Sequence, residues 1–251
     1  MKRFLDIATL SWAVFILAIF PNLTTLMPVK SAPILLSQNV NFKPPNVTAP
    51  GNRQGATHRG SKCPSDLISP LVPENNVGLT VSDSPTLLAY VSQPSTKIEF
   101  TLLTEKGTNN NEEIVYETAF KVDQPGIIAI TIPATAGDKK SLEVGQRYQW
   151  SLSVACNPGE NTGDRSNDFS VKGYVERIEA QPSLKSELVN TDPMTRAIAY
   201  ATNGIWYETV ATLADLRRKA PSDAKLTAEW KQLLQSQKLD SVANQPLVQS
   251  F

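Results

Sequence analysis

The stretch Gln146-Arg147-Tyr148-Gln149-Trp150-Ser151-Leu152-Ser153-Val154-Ala155-Cys156 alternates without a break. Tyr148, Trp150, Leu152, Val154 and Cys156 fall on one side of an extended chain. Gln149, Ser151, Ser153 and Ala155 fall on the other. Period-two alternation marks a strand with one buried face. The cysteine lies on the apolar side, beside an aromatic pair. This strand is therefore expected at the centre of an all-β core, with Cys156 as its covalent anchor.

The same pattern extends on both sides. Gly78-Leu79-Thr80-Val81 begins the strands, and Thr86 to Val91 follows a Ser84-Pro85 turn. From Lys97 to Leu103, Ile98, Phe100 and Leu102 stand opposite Lys97, Glu99 and Thr101. A polar, Gly-containing loop from Glu105 to Asn111 suits a hairpin, after which Ile114, Tyr116 and Phe120 carry another strand. Gly126 to Ile132 is apolar on both faces and is expected as an interior strand. Phe169 to Glu176 closes the set after an Asn/Gly/Asp-rich loop. The sequence predicts an α+β chain, mainly an antiparallel β-sandwich of about seven strands over residues 63–178. It does not follow the immunoglobulin pattern, because Trp150 shares a strand with Cys156 instead of lying on a strand between two cysteines.

Past a linker at 179–191 the period changes. Asp192-Pro193 is a helix start, with a cap and then Pro in the first turn. Asn203-Gly204 is a stop. Trp206, Val210, Leu213 and Leu216 then fall on one helical face. Pro221 breaks that helix, Ser222 or Asp223 caps the next, and Leu226, Trp230, Leu233 and Leu234 form its stripe. Residues 192–247 are expected as a helical hairpin packed on the sandwich, with a short last turn from Leu239 to Gln245. The pair resembles one unit of a tetratricopeptide array, but there is no second copy to stack on it. A peptide-binding helical groove is the alternative to simple packing.

At the N-terminus, Lys2-Arg3 precede an apolar run from Leu10 to Phe20, and Val29-Lys30-Ser31 offers a cleavage site. This is the layout of a secretory signal peptide over 1–31. The run is short for a membrane span, so no stable span is expected in the mature form. Residues 32–62 carry Pro44-Pro45, Pro50-Gly51 and Gly55 without periodicity and are expected as a flexible linker. The single histidine, His58, sits there and is expected to be solvated.

The 251 residues include 24 basic and 24 acidic ones. Removing 1–31 takes away Lys2, Arg3, Lys30 and Asp6, leaving 21 basic against 23 acidic, a net charge of −2. Nucleic-acid binding needs clustered positive charge, so no nucleic-acid partner is expected. Cys63 and Cys156 are the only cysteines. With one histidine they are too few for a zinc site. In an exported chain an even pair predicts one disulfide. It would close a loop of about 90 residues, worth roughly 4–5 kcal/mol by chain entropy.

Several segments together resemble a known family. They are Arg59-Gly60 leading to Cys63, Gly78-Leu79-Thr80-Val81 with Pro85-Thr86, Pro125-Gly126-Ile127, Leu142 to Cys156, Gly173-Tyr174-Val175-Glu176-Arg177, and Asn203-Gly204-Ile205-Trp206-Tyr207. Their order is similar to that of the cyanobacterial domain of unknown function 928 (DUF928) over about Arg59 to Leu247. Leu88-Ala89 stand where the family pattern has aromatics, and Tyr174 where it has Trp. The resemblance implies a secreted protein and carries over no activity and no site residues.

The residues offer little chemistry. A Ser or Cys nucleophile needs a base, and the one histidine lies in the linker. Glu99 and Glu117 lie on adjacent strands and would face each other, but on polar faces, so a solvated surface is expected. No catalytic, cofactor-binding or metal residues are assigned, and no cofactor is expected. Tyr148, Trp150, Trp206, Tyr207 and Trp230 are the candidate binding aromatics. They would form either one internal cluster or a concave floor for a sugar or peptide. The expectation is a non-catalytic interaction or binding module of the periplasm or cell envelope, with an envelope protein or polysaccharide as partner. The alternative is an envelope-glycan hydrolase with an unidentified carboxylate pair.

Overall fold

The computed structural model describes residues 39–50, 63–105, 113–136, 139–140, 142–156, 168–189 and 191–251. The expected signal peptide and His58 lie outside them.

Strands β1 (Ile68–Pro70), β2 (Val77–Thr80), β3 (Thr86–Val91), β4 (Ser95–Thr104), β5 (Ile114–Val122) and β6 (Gly126–Thr131) come first. A small pair, β7 (Thr135–Ala136) and β8 (Lys139–Lys140), separates them from β9 (Arg147–Val154) and β10 (Phe169–Arg177). Helices α1 (Pro182–Glu187), α2 (Pro193–Thr202), α3 (Trp206–Lys219) and α4 (Ala224–Ser236) follow. A 3-10 turn at Asp240–Val242 leads to a last strand, β11 (Leu247–Ser250). One sheet has the order β1-β3-β6-β11, the other β2-β10-β9-β4-β5.

The alternating stretch behaves as its pattern requires. β9 lies at the centre of the five-stranded sheet and buries every second residue from Tyr148 to Val154. Its inner side chains join Leu87, Ile98, Phe100, Ile128 and Phe169 in a core shared by both sheets. β6 is an interior strand, as its apolar faces require, and it is interior because β11 covers its far edge. That pairing is parallel, as is β2 on β10, so the sheets are antiparallel with two exceptions.

Three expectations need correction. Residues 39–50 are not a free tether: Val40 and Phe42 are buried in the main core. Residues 179–191 are not only a linker, because Pro182 opens the short helix α1 and Leu184 buries against Leu79, Ala199 and Ile205. The tail is not a hairpin of two helices ending near 247. The three helices read from the starts and stops, α2 to α4, do form, but β11 follows them and joins a sheet. Asp192 and Asp223 cap α2 and α4 with side-chain acceptors, as the sequence signals.

The two cysteines form a disulfide with Cα atoms 5.3 Å apart and a sequence separation of 93. It joins the segment before β1, in one sheet, to the end of β9, in the other.

Candidate functional site

The first turn of α3 is the joint between helices and sandwich. Three consecutive side chains there reach three different places. Trp206 Nε1 donates to the Leu71 carbonyl at 2.8 Å. Tyr207 Oη accepts from Trp150 Nε1 at 2.9 Å and donates to the Tyr174 carbonyl at 2.9 Å. Glu208 Oε1 accepts from Thr80 Oγ1 at 2.5 Å, Ser82 N at 3.1 Å and Val81 N at 3.3 Å.

Two glycines make room for this joint. A Cβ on Gly78 would stand 2.4 Å from the Tyr207 ring, and one on Gly173 would stand 2.6 Å from the Trp150 ring. The helix can sit this close to β2 only because Gly78 carries no side chain, and Gly173 leaves the Trp150 ring the room from which it reaches Tyr207.

All five candidate aromatics are internal. Trp150, Trp206, Tyr207 and Trp230 are fully buried, and Tyr148 is 3% exposed. They therefore do not make an open aromatic floor. The physical reason is that each ring is claimed from within: Trp150 by Tyr207, Trp206 by an edge-on Phe42 with centroids 4.9 Å apart, and Trp230 by the Arg217 guanidinium 5.1 Å from its centroid. Tyr148 Oη accepts from the Glu143 amide at 2.9 Å. Burial pushes the Tyr207 and Tyr148 hydroxyls well up and the Arg217 guanidinium down. Tyr207→Phe is expected to cost about 1–3 kcal/mol, because it orphans the buried Trp150 N–H. Denaturant unfolding followed by tryptophan fluorescence would show it.

Glu99 and Glu117 are diagonal neighbours, since Glu99 pairs with Ala119 and Thr101 with Glu117. Lys97 Nζ is 2.6 Å from Glu99, and Glu117 is exposed. They do not share a sequestered site.

The structure instead brings together residues that sequence reasoning passed over. A cleft of about 500 Å³ opens beside α3. The β2–β3 turn supplies Ser82 and Ser84, the start of β3 supplies Thr86, α2 supplies Arg196 and Tyr200, and α3 supplies Glu208, Asp215 and Lys219. Glu208 is the unusual member. Its Oε2 is buried and has no hydrogen-bond partner among the described residues. Burial pushes its carboxyl above the usual carboxylate range, against the three hydrogen bonds on Oε1 that favour the charged form. Burial first, and then the Glu208 charge, raises the Tyr200 hydroxyl as well. Arg196 and Lys219 have no carboxylate at ion-pair distance among the described residues, whereas Asp215 pairs with Arg218 at 2.7 Å. In the sequence Glu208 is one more acid in the first turn of a helix, where the dipole favours it. The only signal was its place directly after the Trp-Tyr pair.

Glu208 also sets a pH dependence. Its ordinary value is 4.5, and the folded protein holds the proton more tightly than the unfolded chain does. Below 4.5 both states are protonated and the cost of burial is absent. As pH rises from there through the raised value, the native state releases its proton last and stability falls. Glu208→Gln is expected to lack this decline. Unfolding free energies of both proteins at a series of pH values would check it, and parallel profiles would contradict it.

Among the described residues there is no group of three or more His, Cys, Asp or Glu side chains that could hold a metal, and no helix long and apolar enough to cross a membrane. No curated protein matched the chain in a sequence comparison. A family model, Domain of Unknown Function (DUF928), matches residues 53–247 and so takes in both sheets up to the start of β11, the α3 joint and the cleft. The chain belongs to the DUF928 family.

Proposed function

We propose that this protein is an exported, non-catalytic binding module of the periplasm or cell envelope, and that the cleft beside α3 holds its partner. The observation that carries the proposal is the pair of cations Arg196 and Lys219, with no carboxylate at ion-pair distance among the described residues, on a cleft whose wall is braced by Glu208. A rigid wall with unpaired charge on its rim suits a ligand that brings its own carboxylates. The ligand class is an acidic envelope polysaccharide. Export is supported by the N-terminal Lys2-Arg3 and apolar run and by the Cys63–Cys156 disulfide, a bond that persists in oxidising compartments.

The test is equilibrium binding of the purified protein to polysaccharides with and without uronic acids. Acidic chains should bind, and added salt should weaken them. Arg196→Ala with Lys219→Ala should lower affinity at least about tenfold, the effect of losing about 1.4 kcal/mol. Equal binding by the double variant, or no preference for acidic chains, would sink the assignment.

Glycan hydrolysis has one observation in its favour. Glu208 and Asp215 line the same cleft, and one of them has a raised pKa, which a general acid needs. Against it, the unpartnered Oε2 is buried, so a substrate oxygen reaches it only if the wall moves. Turnover of envelope glycan by the wild type that disappears in Glu208→Gln would reverse the preference. Absence of turnover from acid to neutral pH would end that alternative.

A further inference from the structure

Residues 39–50 cross the molecule in an extended path without forming a helix or strand. They run over α4, the α2–α3 turn and the β1–β2 loop, which hold them through their backbone. The Val40 amide donates to Glu229 Oε2 at 2.8 Å, a buried carboxylate. The Lys43 amide donates to the Ala201 carbonyl at 3.0 Å. The Lys43 carbonyl lies so close to Gly204 that a Cβ there would stand 2.8 Å from it. Asn75 Nδ2 donates to the carbonyls of Val47 at 2.6 Å and Pro45 at 3.3 Å. Asn76 Nδ2 and Arg147 Nη1 reach the carbonyls of Pro50 and Thr48, each at 3.3 Å.

Side chains of the segment enter the body at two main places. Val40 and Phe42 are buried, Phe42 edge-on against Trp206. Asn39, Asn41, Lys43, Pro44, Asn46, Thr48 and Pro50 are exposed. Backbone hydrogen bonds with pockets for alternate side chains are how folded domains recognise extended peptides. The segment also lies N-terminal to residue 53, where the family match begins. The groove residues, the donors Asn75, Asn76 and Arg147, the acceptor Glu229 and the closely approached Gly204, all lie within the match. The cost of ordering a dozen backbone residues stands against what two buried side chains and the backbone hydrogen bonds contribute, so contact alone does not set how firmly the segment is held.

We propose that this groove is a binding site for extended peptides, filled in this chain by its own residues 39–50. The ligand class is a peptide with an apolar residue, a spacer and an aromatic residue, followed by prolines, as in Val40-Asn41-Phe42-Lys43-Pro44-Pro45. The covalent link keeps the segment at a high effective concentration, so a peptide in trans competes poorly until the link is cut or the segment is weakened.

The test uses the full chain with a protease site placed between residues 51 and 62. After cleavage, a labelled synthetic peptide of residues 38–50 should replace the original segment, while the body keeps its cooperative unfolding transition. A peptide with Phe42→Ala should bind at least about tenfold more weakly, the loss of one aromatic anchor. Should cleavage unfold the body, the segment is not separable from the fold and the proposal is overturned. A second variant needs no cleavage: the uncut chain carrying Phe42→Ala should take up the labelled peptide, and the uncut wild type should not. A folded variant that takes up no peptide, or uptake indifferent to the Phe42 position, overturns the proposal equally.

Discussion

Replacing Cys156 with serine is expected to lower the unfolding free energy by about 4–5 kcal/mol. The bond spans 93 positions, so its removal returns a long loop's worth of freedom to the unfolded chain. Its position in the fold adds to the argument. Cys63 enters β1 at the edge of one sheet, and Cys156 leaves β9 at the centre of the other. The bond therefore ties the two layers together at one end of the sandwich. Cys63→Ser with Cys156→Ser should match the single variant within a few tenths of a kcal/mol, because both lose the same cross-link. Denaturant unfolding of the oxidised wild type, the reduced wild type and both variants would measure this. Equal stability of oxidised and reduced protein would show that the cross-link is idle. Thiol labelling of the native protein provides a second check, since two reactive cysteines would contradict the pairing.

Trp206→Ala should cost about 3–5 kcal/mol, the range for emptying a buried aromatic site. Trp206 is fully buried where α3 meets the sandwich, with the Phe42 ring on one side and the Leu71 carbonyl at its indole nitrogen. Trp206→Phe separates these contributions. It retains most of the packing but leaves the Leu71 carbonyl without its indole donor, for a smaller loss of about 1–3 kcal/mol. Trp206→Ala should also make residues 39–50 more accessible to protease, because Phe42 loses its edge-on partner. If Trp206→Ala cost less than about 1 kcal/mol, the well-packed contact between α3 and the sandwich would be in error.

The difference between these residues and Glu208 shows where sequence patterns stop informing. Trp150, Trp206 and Trp230 were placed by periodicity: alternation along β9 and helical stripes along α3 and α4. Periodicity reports which face of an element is buried, and the burial along β9 follows it residue by residue. The disulfide was legible because a chain with two cysteines has one pairing to choose. The caps at Asp192 and Asp223 were legible because they act within three residues of themselves.

Whether the aromatics formed a core or an open floor was not legible, because both arrangements have the same pattern. The outcome depends on which rings meet, and Trp150 meets Tyr207 from 57 positions away. Residues 39–50 escaped detection for a different reason. An extended segment held through its carbonyls and amides needs no periodic side chains, so its sequence resembles that of a linker. β11 was hidden because a strand of four residues is recognisable only beside the strand it pairs with, here β6.

The local rules of chain geometry therefore settled the elements: strands where apolar residues recur every second position, helices where they recur every third or fourth, and one cross-link from one cysteine pair. They settled the two-sheet class as well, since half-buried strands must cover one another. The cleft belongs to the tertiary level. Glu208 meets Thr80, Val81 and Ser82 across 128, 127 and 126 positions, and Arg196 joins them from another helix. A pKa raised by burial and a cation with no carboxylate beside it among the described residues are properties of the surroundings of a side chain, and those surroundings exist only once α3 has docked on β2.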